Sequence, residues 1–190
     1  MWSRQGAGRV ARSTLLALAA VLTAGAAWAG EKLQTAGYVA QLEAAYDPPG
    51  QQGFGSAVFH EALRPGDDLA TAALAKYRYF VGPLWDRFGE QAWMGPWREV
   101  YSRPSDARRD IVAELRAIED REAQRSLTLL LDATENAATA RAALATAFDD
   151  AAMTELRVFN LGDGAAMSGL LVAGRRAPGG DTTYVVVLMD

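Results

Sequence analysis

His60 is the chain's only histidine, and it stands in the segment Gly53-Phe54-Gly55-Ser56-Ala57-Val58-Phe59-His60-Glu61. Hydrolysis by a serine nucleophile needs a hydroxyl, an imidazole to deprotonate it and an acid to orient the ring. Ser56 and His60, with Asp67, Asp68 or Glu61 as the acid, are therefore the candidate catalytic set. The setting is not a nucleophile elbow, because that motif places glycine two residues to either side of the serine, where this chain has Phe54 and Val58. A histidine that only packs or faces solvent is the competing reading.

Metal and cofactor chemistry is not expected. One histidine and no cysteine cannot make a multi-histidine or thiolate site. The pairs Asp67-Asp68 and Asp149-Asp150 lack the alternating oxygen ligands of a calcium loop. The first pair reads as a helix cap and the second as a solvated helix end. Asn160-Leu161-Gly162-Asp163-Gly164 has the composition of a tight hairpin turn. Its glycines, with Gly169, lack the spacing of a phosphate-binding loop.

The densest unusual feature is aromatic. Tyr77, Tyr79, Phe80, Trp85, Phe88, Trp93, Trp97 and Tyr101 fall within one stretch broken by Pro83, Gly95 and Pro96. Rings on irregular backbone can form a platform for sugars or for a partner's anchor residue. Trp85, Trp93, Trp97 and Tyr101 are the candidate binding residues, and of the set Trp93 and Trp97, which flank Met94-Gly95-Pro96, are the best placed to stand at the surface. The alternative is that the rings fill the core where short helices meet.

The compartment is read from the N-terminus. Arg4, Arg9 and Arg12 precede an uncharged apolar run from Thr14 to Ala29, which ends in Ala27-Trp28-Ala29. A basic region, an apolar run and small residues at a cleavage site make a secretory signal. The run is shorter than the roughly 20 apolar residues a membrane span needs. Cleavage after Ala29 is expected, leaving a soluble periplasmic or secreted chain from Gly30 to Asp190. Without the three signal arginines the chain has 16 basic and 23 acidic residues, a formal charge of −7. Such a chain is a poor nucleic-acid partner, since phosphate neutralisation needs clustered cations. Arg103, Arg108, Arg109 and Arg116 alternate with Asp106, Asp110 and Glu114, as on a solvated helix face with internal ion pairs.

The elements follow from periodicity. Residues 30–46 read as a helix, with Leu33, Tyr38, Leu42 and Tyr46 on one face and Asp47-Pro48-Pro49-Gly50 as its stop. Residues 50–66 read as a loop holding a short element at Ala57 to Leu63. Asp67 or Asp68 caps a helix that buries Leu69, Ala73, Leu74 and Tyr77 and ends before Pro83. A short helix at Leu84 to Phe88 follows. Ser105 caps a long helix carrying Ile111, Val112, Leu115 and Ile118, and Leu127 to Leu131 continue it or form a short strand. Thr134 opens an alanine-rich helix that buries Ala140, Leu144 and Phe148. Leu156 to Leu161, Ala166 to Ala173 and Thr182 to Met189 are strands joined by glycine turns, hence an antiparallel meander. The last is apolar on both faces and should be covered on both. The expected fold is one α+β domain, helical over 30–150, packed on a three-stranded sheet over 154–190.

Val158-Phe159-Asn160-Leu161-Gly162 and the apolar strand ending at Ala173-Gly174 resemble the closing strands of a nuclease-inhibitor family. The resemblance covers about a fifth of the mature chain and implies a protein-inhibitor reading; the helical first two-thirds and the signal depart from that family. The sequence as a whole points to an exported, non-catalytic binding module for an envelope protein or a glycan of the cell wall. A small periplasmic hydrolase using His60 with Ser56 is the alternative. A third reading is a scaffold whose sheet edge, open beside Leu156 to Leu161, pairs with a partner's strand.

Overall fold

A computed structural model of the chain describes residues 37–190. The signal segment, Leu33 and the start of the first helix lie outside the described residues. Residues 37–46 are helical (α1) and are followed by β1 (Gly55–Ala62), α2 (Leu69–Val81), α3 (Pro83–Phe88), α4 (Glu90–Met94) and β2 (Arg98–Ser102). Then come α5 (Ile111–Arg116), α6 (Arg121–Asp132), α7 (Ala137–Phe148), β3 (Met153–Asn160), β4 (Ser168–Arg176) and β5 (Asp181–Met189).

The strands form one antiparallel sheet in the order β1-β5-β4-β3-β2. The meander β3-β4-β5 is present as read, but the sheet has five strands, not three, because the helical portion contributes one strand to each edge. β1 pairs with β5, Gly55 lying opposite Leu188 and Ala62 opposite Asp181. β2 pairs with β3 through a register shift between Glu99 and Tyr101. The edge beside Leu156 to Leu161, expected to be open, is therefore filled by β2. The new edge strand is short, bulged and charged, all devices that discourage further pairing.

Because successive side chains of a strand point to opposite faces, β5 divides its own apolar run. Val185 and Val187 face one core, with α1, α5, α6 and α7; Tyr184, Val186 and Leu188 face another, with α2, α3 and α4. The strand read as apolar on both faces is buried on both, and the architecture is three-layered, helices on each side of the sheet. Tyr38, Leu42 and Tyr46 seat α1 in the first core, and the Tyr46 hydroxyl donates to the Leu130 carbonyl at 2.8 Å. The segment just after α1 closes part of the β1 edge, since the Val58 amide donates to the Asp47 carbonyl at 3.0 Å.

Several helix boundaries differ from the reading by periodicity. Asp68, one of the two residues read as a cap, accepts from the Thr71 amide and starts α2. The helix expected from Ser105 begins instead at Ile111, capped by Asp110, and breaks after Arg116; α6 restarts on Asp120. A carboxylate directly before the first helical residue captures free first-turn amides, and both aspartates sit there. α7 starts at Ala137 on Asn136, three residues after Thr134, and still buries Ala140, Leu144 and Phe148. Leu127 to Leu131 are helical, within α6.

Candidate functional site

The proposed catalytic residues do not converge. Ser56 and His60 lie four residues apart on β1, hence roughly 13 Å apart at about 3.3 Å per residue. The Ser56 hydroxyl donates to Oδ2 of Asp47 at 3.1 Å. Asp67 accepts from the Arg64 amide at 3.0 Å, closing the turn before α2. Glu61 points to the other face of β1, where it accepts from Lys76 at 2.6 Å and from the Tyr184 hydroxyl at 3.0 Å. His60 is exposed, with its ring edge-on to Tyr38 at 6.3 Å between centroids. Protein walls one side of the imidazole, and that partial burial holds its pKa below the ordinary 6.5. Among the described residues, no group of three or more His, Asp or Glu side chains is placed to hold a metal ion.

The aromatic stretch is mostly core. Trp85 and Trp93 are each 3% exposed and stack on one another at 6.3 Å and 16°. Trp93 also meets Phe54, Tyr77 and Phe88, and its indole N–H donates to the Leu84 carbonyl at 3.2 Å. Trp97 is half-buried in a three-ring stack, parallel to Tyr77 at 5.7 Å and to Phe159 at 4.6 Å. The expectation that Trp93 and Trp97 stand at the surface is thus corrected: Trp93 is buried, and rings cover Trp97. Gly89, at a φ of 81°, separates α3 from α4, and the Trp85–Trp93 stack joins the two short helices, so the irregular segment closes a core. Tyr101 is half-buried against the opposite core; burial raises its phenol's pKa, and neighbouring Glu114 pushes the same way.

The arginine-rich stretch, read as one solvated helix face, is not one: only Arg116 lies in α5, while Arg103, Arg108 and Arg109 precede it. Arg103 buries its guanidinium, which donates to Glu114 at 2.8 Å and to the Phe148 carbonyl at 2.6 Å. Asp149, read as a solvated helix end, accepts from the Ile111 amide at 2.8 Å and pairs with Arg103 at 3.3 Å. Burial raises its carboxyl above the ordinary carboxylate value in spite of those partners.

Where the aromatic core reaches solvent, it forms one wall of an open groove between α2 and α3. The groove has a volume of about 580 Å³ and is lined by Gln51, Arg78, Tyr79, Gly82, Trp85 and Asp86 among others. Its floor is set by the break between the helices. Gly82 ends α2 at a φ of 59°, where a side chain would be strained, and a Cβ there would press on Gln51 at 3.3 Å. Pro83 then opens α3, where a missing amide costs nothing. The loop that carries Gln51 is clipped down by the Gly53 amide, which donates to the Phe80 carbonyl at 2.9 Å.

Arg78 lies over the Trp85 ring at 5.5 Å, a cation–π contact that fixes its planar fork. Tyr79, 51% exposed, is steadied by Phe59, its ring perpendicular at 5.8 Å. Phe88, 56% exposed on α3, is the other large ring open to water. Arg78 and Asp86 lie off the apolar stripe of their helices and carry no signal of their own in the sequence; Tyr79 belongs to the aromatic stretch but is not among the four rings nominated for binding. Among the described residues no helix is long and apolar enough to cross a membrane. No family model, no curated protein and no solved structure matches the chain.

Proposed function

We propose that the chain is an exported, non-catalytic binding module of the cell envelope, working after cleavage at Ala29 and engaging an envelope protein or a cell-wall component through the α2–α3 groove. The observation that carries this reading is Tyr79. A half-exposed ring held rigid from behind, beside an arginine fixed on Trp85, costs little side-chain entropy when it meets a ligand. Of the four aromatic residues that the sequence nominates for binding, Trp85 alone borders the groove, and it supports Arg78 there; Trp93, Trp97 and Tyr101 lie behind it or elsewhere in the core.

Retention from envelope fractions, soluble proteins and insoluble wall material separately, tests the proposal. The purified chain is compared with a Tyr79→Ala, Arg78→Ala double variant of unchanged circular dichroism. A component held by the parent and lost by the double variant is the expected result. Retention that survives the double substitution places the contact elsewhere, and empty fractions on both supports remove the binding reading.

A further inference from the structure

We infer that the groove between α2 and α3 takes a neutral carbohydrate, a short oligosaccharide rather than a protein side chain or an anion; this rests on the binding-module reading above. The polar groups of the groove are balanced. Arg78 supplies guanidinium donors, Asp86 a carboxylate acceptor, and Gln51 an amide that does both. One cation and one anion on the same lining leave no net charge for a phosphate or polyanion to neutralise, and the Asp86 carboxylate would repel one.

All three side chains end in flat, two-pronged groups. The Arg78 side chain makes no hydrogen bond or ion pair within the described residues, and its guanidinium lies over the Trp85 ring, so its fork is free to meet a ligand. Adjacent hydroxyls on a sugar ring each donate and accept, and a planar two-pronged group meets such a pair in one plane. Tyr79 adds what a polyol also needs, an exposed aromatic surface against which the C–H side of a sugar ring can pack while its hydroxyls stay wet. A protein anchor residue would require a desolvated apolar pocket, yet this groove is open and its lining mixes polar with apolar side chains.

Calorimetry of the full purified chain with a panel of neutral tetrasaccharides tests the assignment: β-1,4-linked N-acetylglucosamine, β-1,4-linked glucose and α-1,4-linked glucose. Saturable binding to at least one is expected, with little change between low and high salt. Tyr79→Ala and Arg78→Ala should each weaken it at least tenfold, while Tyr79→Phe, which keeps the ring, retains most of it. Binding that survives both Tyr79→Ala and Arg78→Ala at unchanged strength places the sugar outside this groove and overturns the assignment. If no tetrasaccharide binds while an envelope protein is still retained in a Tyr79-dependent way, the carbohydrate class fails and the binding module stands. Failure of both measurements removes both.

Discussion

Arg103 donates from Nε to Oε2 of Glu114 across 2.8 Å, and the two side chains are only 6% and 10% exposed. The same guanidinium reaches the Phe148 carbonyl and Asp149, so it joins the end of β2 to α5 and to the C-terminal end of α7. Charges removed from water this far are costly unless every donor is used, and a lone survivor is costlier than the pair. Glu114→Ala should therefore lower stability by about 3–5 kcal/mol. The Arg103→Met, Glu114→Leu double variant should lose far less than the two single losses added together. Urea denaturation of the three variants checks this; additive losses would show that the two charges are not coupled.

The three-ring stack of Tyr77, Trp97 and Phe159, and the Trp85–Trp93 pair beside it, rank the aromatic substitutions. Trp93→Ala and Trp97→Ala each remove a large packed ring and should cost about 3–5 kcal/mol. Tyr79→Ala, at a half-exposed position, should stay within roughly 1 kcal/mol of the parent. Denaturant midpoints that placed Tyr79 above either tryptophan would mean that the groove wall, not the stack, holds this layer together.

Asp68 accepts from the Thr71 amide and the Thr71 hydroxyl, both at 2.8 Å. The Thr71 amide is the main reason its carboxyl titrates below the ordinary 3.8. With the folded-state value depressed, the stabilisation is complete above the unfolded value and fades as pH falls through the folded one. Asp68→Ala should cost about 0.5–2 kcal/mol at neutral pH. Asp68→Asn should keep most of the cap and flatten the acid limb, since the amide caps without titrating. Thermal melts from neutral pH down to about pH 3 separate the two. Equal acid limbs for the parent and the Asp68→Asn variant would show that the charge contributes nothing.

How far the sequence could be read depends on what each signal reports. β5 was legible because Tyr184 to Met189 is apolar at every position, which only a strand covered on both faces needs. β2 was not, because Arg98-Glu99-Val100-Tyr101-Ser102 is short, charged and bulged. Those traits suit an edge and erase the alternation that marks a strand. β1 was legible only as a short element at Ala57 to Leu63 within a loop, because the polar Ser56 and His60 share the strand face that Val58 turns to the core. The core role of Trp97 depends on Phe159, distant in sequence and supplied only by folding. The groove was hidden too, since Gln51 comes to Gly82 through a loop contact that no local pattern encodes.

His60 offers a clean pH probe, being the one imidazole in the chain. It pairs across the sheet with Thr183, whose hydroxyl shares a hydrogen bond of 3.0 Å with the Tyr38 hydroxyl. Arg176 covers the Tyr38 ring at 3.8 Å. Burial is the largest influence lowering the His60 pKa; Arg176 acts in the same direction, while the carboxylates of Asp181, Glu43 and Glu61 oppose it. Because the folded value lies below the unfolded 6.5, the unfolded chain takes up the proton first. The contribution of neutral His60 is full above that pH and is lost as pH falls through 6.5 toward the folded value. Imidazole NMR should give a single titration with a midpoint below 6.5, and Arg176→Gln should move it upward. His60→Gln should remove this component of the stability profile between about pH 7 and about pH 5. A midpoint at or above 6.5 in the parent would mean that the ring is fully solvated and that its contact with Tyr38 does not persist in solution.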